Sequence, residues 1–219
     1  KMNIVWYEDE FCYYVWKPSN IPTTFGKEFS FLELLFQQEQ QKYPFIQRLS
    51  SVFSREEEWG LLNRLDNATT WLLYFAKSHE IKKYYKALQH EWKVRKYYLV
   101  EIYWDIRYWI KKYGKIIDFP IAHHKFSPER MIVIDHEIKK LKADWKFHFV
   151  QTKIVETQRN EKTGTTTLLV SIQKGIRHQI RCHFSAIGYP IVWDECYWKK
   201  KDPMKWNLQL FSIGLEVSS

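Results

Sequence analysis

The stretch "KGIRHQIRCHFSAIGYPIVWDECYW", residues 174–198, combines basic and polar side chains with apolar residues at helical spacing. Its central part predicts a helix whose inward positions are Ile180, Phe184 and Ile187. Gly188 follows directly, and glycine is the residue that most often ends a helix. The stretch therefore predicts a short helix that carries its basic side chains about one turn apart.

The remaining chain is dominated by predicted strands. Two further helices are predicted at residues 31–41 and 79–90, and the apolar face of the second consists of Ile81, Tyr84, Tyr85 and Leu88. The predicted strands are short apolar or alternating runs: "NIVWYEDEFCYYVWKP" (3–18, two strands), "WLLYFAKS" (71–78), "VRKYYLVEIYW" (94–104) and "TTTLLVSIQ" (165–173). Because strands and helices do not alternate regularly, the pattern indicates an α+β fold. No repeat or Gly/Ser/Pro-rich linker interrupts the chain, so we expect a single domain over residues 1–219.

The charge balance indicates a polyanionic partner. The chain carries a net charge of +9, and its lysines cluster at 111, 112 and 115, at 139, 140 and 142, and at 199–201. Such clusters are common on solvated surfaces. Together with a pI near 9.3, they make nucleic acid the first expectation and an anionic membrane the second.

The composition narrows the class of protein further. Hydrophobic residues make up 45% and charged residues 27% of the chain, which is ordinary for a soluble globular protein. No apolar run is long enough to cross a bilayer, and no signal peptide opens the chain. Cys12, Cys182 and Cys196 are widely spaced, which indicates reduced thiols rather than a disulfide frame. We therefore expect a cytoplasmic protein that does not span a membrane. Of the two polyanionic partners, we predict nucleic acid and not a membrane, and we expect a monomer.

Several common catalytic motifs do not occur in the sequence. There is no HExxH zinc motif, no deaminase Pro-Cys-x-x-Cys, no Walker loop, no GxGxxG and no GxSxG. His123 and His124 are neighbours, but adjacent histidines in a strand or loop point apart. We expect no metal site and no cofactor.

Three polar stretches are left to explain: "NRLDNATTWLL" (63–73), "VRKYYLVEIYW" (94–104) and the stretch at 174–198. Together they resemble the three motifs of the RluA-type pseudouridine synthases, which isomerise uridine to pseudouridine in RNA. These motifs read H-R-L-D-x-x-T-S-G-L-L, K-x-Y-x-A-x-V-x-G and G-R-x-H-Q-I-R-x-H-L-x-x-I-G-x-P-I-V-G-D-x-x-Y-G. "WKPSNIPTT" (16–24) and "LQLFSIGLEV" (208–217) extend the resemblance, which runs from about Asn3 to Val217.

The resemblance implies a fold and a set of site residues. The fold would be the pseudouridine synthase catalytic fold, with a mixed, mostly antiparallel central sheet and flanking helices and loops. The family's separate N-terminal S4-like domain would be missing, because the first catalytic strand begins near residue 3. The catalytic residues would be Asp66, Tyr98 and Arg181. The substrate-binding residues would be Arg64, Arg177, His178, Gln179 and Ile180.

The implied reaction is covalent catalysis on ribosomal or transfer RNA, without metal or cofactor. Asp66 would attack the target nucleotide at uracil C6 or at ribose C1′. The target uridine must leave the stacked helix to react, and Arg64 would enter the gap or grip a flanking phosphate. Tyr98 would stack on the uracil, and its hydroxyl is a candidate for the proton step at C5.

Elementary chemistry is compatible with these roles. A carboxylate nucleophile must stay ionised beside a desolvated base, and a guanidinium forked onto it favours that state. On the sequence alone, a structural ion pair between Asp66 and Arg181 and a packed strand tyrosine at 98 remain alternatives. A catalytically silent RNA-binding or RNA-chaperone protein on the same fold is the alternative function. A methyltransferase would need a Gly-rich cofactor loop, which the sequence does not contain.

The chain departs from the family pattern at several positions. Asn63 replaces the histidine before Arg-Leu-Asp, the arginine of "IRHQIR" is shifted by one position, and Phe211 replaces a histidine in the last strand. Four family glycines are replaced by Trp71, Trp104, Trp193 and Trp198. The chain has 11 tryptophans and only 7 glycines. One hypothesis is that UGA codons read as glycine in the source were translated as tryptophan; the alternative is a genuinely tryptophan-rich variant.

Overall fold

The computed structural model describes residues 4–26, 29–38, 41–134, 142–198 and 207–218. The lysines at 139, 140 and 199–201, to which the charge pattern drew attention, lie outside these ranges. The chain divides into two compact units, Lys1–Val94 with Phe211–Ser219, and Arg95–Leu210. Each unit is described by itself, and the single domain over residues 1–219 stays a prediction.

The first unit contains four strands in the order β1, β2, β3, β10. These strands are β1 (Trp6–Glu8), β2 (Cys12–Lys17), β3 (Thr70–Ala76) and β10 (Leu210–Val217). The pairs β1–β2 and β2–β3 are antiparallel, whereas β3 and β10 run parallel. In this register Lys17 lies opposite Trp71.

Helical segments accompany the strands of the first unit. They are α1 (Phe31–Glu33), a π-helical turn (Leu34–Gln38), α2 (Pro44–Val52), a 3-10 turn (Glu58–Gly60) and α3 (His79–His90). The helix predicted over 31–41 is therefore shorter as an α-helix, because its hydrogen bonds widen after Glu33. The predicted bounds of α3 are confirmed. Its predicted apolar face is wrong at Tyr84, which is 65% exposed, while Tyr85 and Leu88 are buried.

The second unit contains the strands β4, β9, β8 and β5, paired antiparallel in that order. Their bounds are β4 (Val94–Tyr103), β5 (Ile116–Ile117), β8 (Thr152–Asn160) and β9 (Thr165–Ile172). A separate two-stranded ribbon joins β6 (Ile121–His123) to β7 (Met131–Val133). The described part of this unit also contains the helices α4 (Arg107–Tyr113) and α5 (Gln179–Ala186). The α+β class with mostly antiparallel strand pairs is confirmed.

Helix α5 is the helix predicted from residues 174–198, and it is confirmed with its glycine stop. Ile180 and Phe184 are 4% and 0% exposed, whereas Ile187 caps the helix and is partly exposed. The helix is buried on more than its apolar face, because Gln179, Arg181 and His183 are also buried. Polar side chains inside a protein must find partners, so α5 is tied to its unit by hydrogen bonds as well as by apolar packing.

His183 shows how such a bond network depends on protonation. Its Nε2 donates to the carbonyl oxygen of Phe119 at 2.9 Å, so its Nδ1 accepts from the hydroxyl of Thr152, also at 2.9 Å. Burial lowers the pKa of His183 to about 4, although the Phe119 carbonyl and Asp118 favour the charged form. The neutral ring is therefore part of the folded state.

We expect acid to unfold the protein partly through His183. Since its folded pKa lies below the unfolded value of about 6.5, the stabilisation is complete above that pH and is lost as pH falls toward 4. His183→Gln should remove on the order of 2–3 kcal/mol of the decline in unfolding free energy between these pH values. Chemical denaturation at several pH values measures this. His90→Gln, at the exposed end of α3, is the control and should keep the wild-type pH dependence.

Candidate active site

The segment that carries Asp66 is fastened to β3 by side chains. The amide of Asn63 donates to the carbonyl of Leu72 at 3.2 Å, and its oxygen accepts from the backbone N–H of Tyr74 at 2.8 Å. The hydroxyl of Thr23 bonds both backbone groups of Leu65. Asn63 is 5% exposed, so the residue that replaces the family histidine has a structural role here.

Asp66 itself begins a tight turn that closes on its own carbonyl. The backbone N–H of Thr69 donates to the carbonyl of Asp66 at 3.0 Å. The neighbouring segment then holds the other carbonyls of the turn. The backbone N–H of Asn20 donates to the carbonyl of Asn67 at 2.8 Å, and the hydroxyl of Ser19 donates to that of Ala68 at 3.0 Å. The half-buried Asp66 therefore projects from a backbone that is fixed on both sides.

Lys17 is the central residue of this clamp. It is 1% exposed, and its ammonium donates to the carbonyls of Pro18 at 2.9 Å and Asn67 at 3.0 Å. Burial lowers the pKa of Lys17 to about 7, and the carboxylate of Asp66 acts against this shift. Lys17 was not among the predicted site residues. Its position at the end of a predicted strand is the sequence signal that could have identified it.

Arg64 lies on the surface, with its guanidinium 2.6 Å from the carboxylate of Glu58 and its side chain 66% exposed. It is thus accessible beside the turn of Asp66. Its predicted contact with RNA stays a prediction.

In the second unit, Arg181 is held by a carboxylate that the sequence analysis did not identify. Its Nε and Nη2 donate to the two oxygens of Asp194 at 2.9 and 2.8 Å. Arg181 is 6% and Asp194 1% exposed. Asp194 Oδ1 also accepts the backbone N–H groups of Cys196 and Tyr197, at 3.1 and 3.2 Å. The predicted pairing of Arg181 with Asp66 stays a prediction, and Asp194 is an additional partner.

Tyr197 links this ion pair to His178. Its hydroxyl accepts the backbone N–H of Met131 at 2.8 Å and lies 3.1 Å from Nδ1 of His178. Burial, reinforced by Arg181 and Arg177, lowers the pKa of His178 to about 3. The neutral ring and the Tyr197 hydroxyl share this hydrogen bond, and the tautomer of His178 decides which of the two donates. His178 begins α5 with a φ of 54°, a conformation that few histidines adopt.

The other predicted substrate contacts of α5 divide into exposed and buried residues. Arg177 is exposed and donates to the carbonyls of Pro128 and Glu129. Gln179 and Ile180 are 2% and 4% exposed. The amide of Gln179 donates to the carbonyl of Gln151 at 2.9 Å and accepts from Ile176, which fixes the start of the helix. Their predicted roles in substrate binding remain untested.

Tyr98 lies on the buried face of β4 and is 7% exposed. Lys96, two residues earlier, shares that face and is 8% exposed. Burial lowers the pKa of Lys96. A charged residue on the inward positions of an alternating strand was the sequence signal for Lys96.

Within the described ranges, no group of three His, Cys, Asp or Glu side chains could hold a metal ion. In the same ranges, no helix has the length and apolar character needed to cross a membrane.

We expect the clamp on the Asp66 turn to depend on Lys17. Lys17→Met keeps the apolar stem but removes the donor of the Pro18 carbonyl and one of the two donors of the Asn67 carbonyl, which should cost about 1–3 kcal/mol of unfolding free energy. Lys83→Met, on the exposed surface of α3, is the matched control and should change stability little. Equal effects of the two substitutions would show that the Lys17 contacts do not hold the turn.

We expect the loss of a carboxylate to cost more stability in a buried ion pair than in an exposed one. Asp194→Asn leaves the Arg181 guanidinium buried without its countercharge and should cost about 3–5 kcal/mol. Arg107 is also forked onto the two oxygens of Asp105, but its side chain is 63% exposed, so Asp105→Asn should change stability little. Urea denaturation of the two variants measures the contrast, and similar losses would contradict it.

Comparison with known proteins identifies the family. The sequence profile described as RNA pseudouridylate synthase matches residues 12–186. An Aquifex aeolicus protein named as an uncharacterized RNA pseudouridine synthase is 32% identical over 152 residues, covering 69% of this chain and 43% of the relative. Ribosomal large subunit pseudouridine synthase D of Nitrosomonas europaea is 29% identical over 63% of this chain and 35% of its own. The chain therefore spans less than half of the length of these relatives.

A third relative and a solved structure cover more of the chain. The dual-specificity RNA pseudouridine synthase RluA of Vibrio vulnificus is 27% identical over 87% of this chain and 67% of its own. The structure of human RNA pseudouridylate synthase domain containing 1 has a TM-score of 0.73 at 18% identity, over 98% of this chain and 78% of that one. This likeness concerns the fold, whereas the profile covers most of the sequence. The chain belongs to the RNA pseudouridylate synthase family.

Proposed function

We propose that the protein is an RNA pseudouridine synthase that converts uridines of ribosomal or transfer RNA to pseudouridine, with Asp66 as its nucleophile. The observation that carries the proposal is the family match over residues 12–186, which includes Asp66, Tyr98 and Arg181. The clamp around the turn of Asp66 supports the role of this residue, because a nucleophile is effective when its approach geometry is fixed.

The proposed reaction needs no group beyond the side chains and the RNA. Asp66 attacks uracil C6 or ribose C1′, and the bond between N1 and C1′ breaks. The uracil rotates, and C5 forms the new bond to C1′. If Asp66 had attacked C1′, this step expels the carboxylate and the C5 proton is lost afterwards. If Asp66 had attacked C6, the C5 proton and the carboxylate leave together, which restores the double bond between C5 and C6. Both points of attack lead to the same product.

We assign the supporting roles to residues of the second unit. Arg181 favours the ionised state of the nucleophile, and Asp194 holds its guanidinium plane in a fixed orientation. Tyr98 stacks on the uracil and takes part in the proton step at C5. Lys96 is a second candidate for the proton step, because it lies on the same buried face of β4 as Tyr98. The neutral His178 offers a hydrogen-bonding group beside the exposed Arg177.

The substrate proposal rests on charge and on the names of relatives. One relative is named for the ribosomal large subunit and another for dual specificity, which supports ribosomal or transfer RNA as the substrate. The net charge of +9 supports binding to the phosphate backbone. We further propose that the protein acts as a monomer in the cytoplasm, a compartment in which cysteines such as Cys12, Cys182 and Cys196 stay reduced.

We expect Asp66→Asn to abolish pseudouridine formation while RNA binding and stability remain, because the amide cannot form the covalent adduct. The assay incubates ribosomal and transfer RNA with the protein and maps pseudouridine by carbodiimide-dependent stops of reverse transcription. Asp105→Asn, an exposed carboxylate of the second unit, is the matched control and should stay active.

Each other outcome has a definite meaning. Activity of Asp66→Asn above a few per cent of wild type would remove Asp66 from the mechanism. A wild-type protein that binds RNA but modifies neither class would instead support a silent RNA-binding protein. Stops confined to one RNA class would identify the substrate.

A further inference from the structure

Tryptophans occupy the backbone conformation that glycine adopts most readily. Eight non-glycine residues of the described chain have a positive φ, and five of them are tryptophan: Trp59 (47°), Trp71 (81°), Trp92 (62°), Trp104 (64°) and Trp193 (62°). The other three are Asn20, Glu58 and His178. Only a few per cent of non-glycine residues adopt this region, and bulky ones are outliers there. The tryptophans of this chain are therefore enriched where a large side chain fits worst.

The end of α3 shows the conflict most clearly. The backbone N–H of Lys93 donates to the carbonyl of Leu88 at 2.9 Å, and that of Trp92 donates to Gln89 at 3.3 Å. This pair of bonds is the Schellman motif, and its left-handed position, normally glycine, is occupied by Trp92.

The end of α5 is an internal reference with the same motif. The backbone N–H of Tyr189 donates to the carbonyl of Phe184 at 2.9 Å, and that of Gly188 donates to Ser185 at 3.1 Å. The left-handed residue is Gly188, with a φ of 86°. One chain thus ends two helices in the same way, once with glycine and once with tryptophan.

Trp193 occupies the corresponding position of a reverse turn. The backbone N–H of Asp194 donates to the carbonyl of Ile191 at 3.2 Å, so Trp193 is the third residue of a four-residue turn. A positive φ at this place is the mark of a type II turn, which calls for glycine or asparagine. The next residue is Asp194, so this turn sets the direction of the carboxylate that holds Arg181.

Trp71 and Trp104 are fixed by bonds of the strands around them. Trp71 pairs with Lys17 on one side and Ser212 on the other, although its φ of 81° is foreign to a strand. The backbone N–H of Trp104 donates to the carbonyl of Gly164 at 3.2 Å, and its carbonyl accepts the hydroxyl of Thr166 at 2.7 Å. In both cases hydrogen bonds of the backbone define the conformation, and the indole has to accommodate it.

We infer that residues 71, 92, 104 and 193 are glycine in the polypeptide that the cell makes, and that their codons are UGA decoded by a glycine-inserting tRNA. UGA specifies tryptophan in some genetic codes and glycine in others, whereas UGG specifies tryptophan. The inference rests on backbone geometry and does not require the proposed function. The structure adds position 92 to those that the sequence pattern singled out.

We do not infer glycine at two other tryptophans, Trp59 and Trp198. Trp59 has a positive φ, but it is buried at 9% exposure and its ring stacks on Phe36 at 4.1 Å, so its side chain has a packing role. The ring of Trp71 contacts those of Trp16 and Phe211, at 5.3 and 4.6 Å between centroids, but Trp71 is only half-buried. Trp198 replaces a glycine of the family pattern. It is not among the described residues with a positive φ, so its backbone gives no reason for glycine.

The alternative is that all four tryptophans are genuine. Each would then lower the folding equilibrium constant by about an order of magnitude relative to glycine, through the cost of the left-handed conformation. Four such positions together would weaken folding by several orders of magnitude if they acted independently. A marginally stable protein has little reserve for such a loss.

The gene and the native protein provide the direct test. We expect UGA at codons 71, 92, 104 and 193, and UGG at codon 6, because Trp6 is not among the described residues with a positive φ. Peptide mass spectrometry of the protein purified from its source should give glycine masses at the four positions. UGG codons or tryptophan masses there would overturn the inference.

A stability test uses the internal reference. In a recombinant protein that carries tryptophan at all four positions, Trp92→Gly should raise the folding equilibrium constant several-fold, because glycine adopts the left-handed conformation without strain. Gly188→Trp should lower it by about tenfold or more at the equivalent position of α5. Trp6→Gly, in β1, is the control for loss of an indole and should also lower it. A loss of stability in Trp92→Gly equal to that in Trp6→Gly would show that tryptophan is the native residue.

Discussion

The buried ion pair between Arg181 and Asp194 imposes the strongest constraint on the second unit. Moving two charges out of water is costly, and the attraction between them offsets the cost only when the geometry is good and the remaining polar atoms are bonded. Both guanidinium-facing bonds are under 3 Å, and Asp194 receives two further backbone N–H groups. The chain after α5 therefore has to fold back around the pair, which fixes the turn at 191–194 and the position of Tyr197.

In the first unit, the turn of Asp66 is held by one buried lysine that bonds backbone carbonyls. A single buried amino group, that of Lys17, bonds two carbonyls, and the carboxylate of Asp66 favours its charged form. Together with Ser19 and Asn20, it holds the carbonyls of Asn67 and Ala68, and the turn itself closes through the bond from Thr69 to Asp66. Preorganisation of this kind reduces the entropy that a reaction has to supply, since the reactive group is already oriented. In each unit, a buried basic side chain thus orders the backbone next to residues that we predict to act in the site.

Periodicity predicted the elements whose burial follows a regular face. The bounds of α3, the strands β3, β4 and β9, and the glycine stop of α5 could all be read from the sequence. The partnership of Arg181 with Asp194 could not, because two residues 13 positions apart meet only through a turn whose geometry is not local. The clamp by Lys17 spans 50 residues and depends on strand pairing. Tyr84 was misassigned because helical spacing does not show which of two neighbouring apolar residues meets the core.

The tryptophans at left-handed positions are a conflict between local preference and global fold, and such conflicts are rare in natural sequences. Two of these tryptophans lie next to residues whose backbone positions the predicted site residues. Trp71 lies in register with Lys17, and Trp193 directly precedes Asp194. Glycine at these two places would let the strand approach the clamp and let the turn aim its carboxylate without strain. The same backbone that argues for glycine therefore also supports the two clusters on which the proposed chemistry depends, so the identity of these residues bears directly on how well the site is formed.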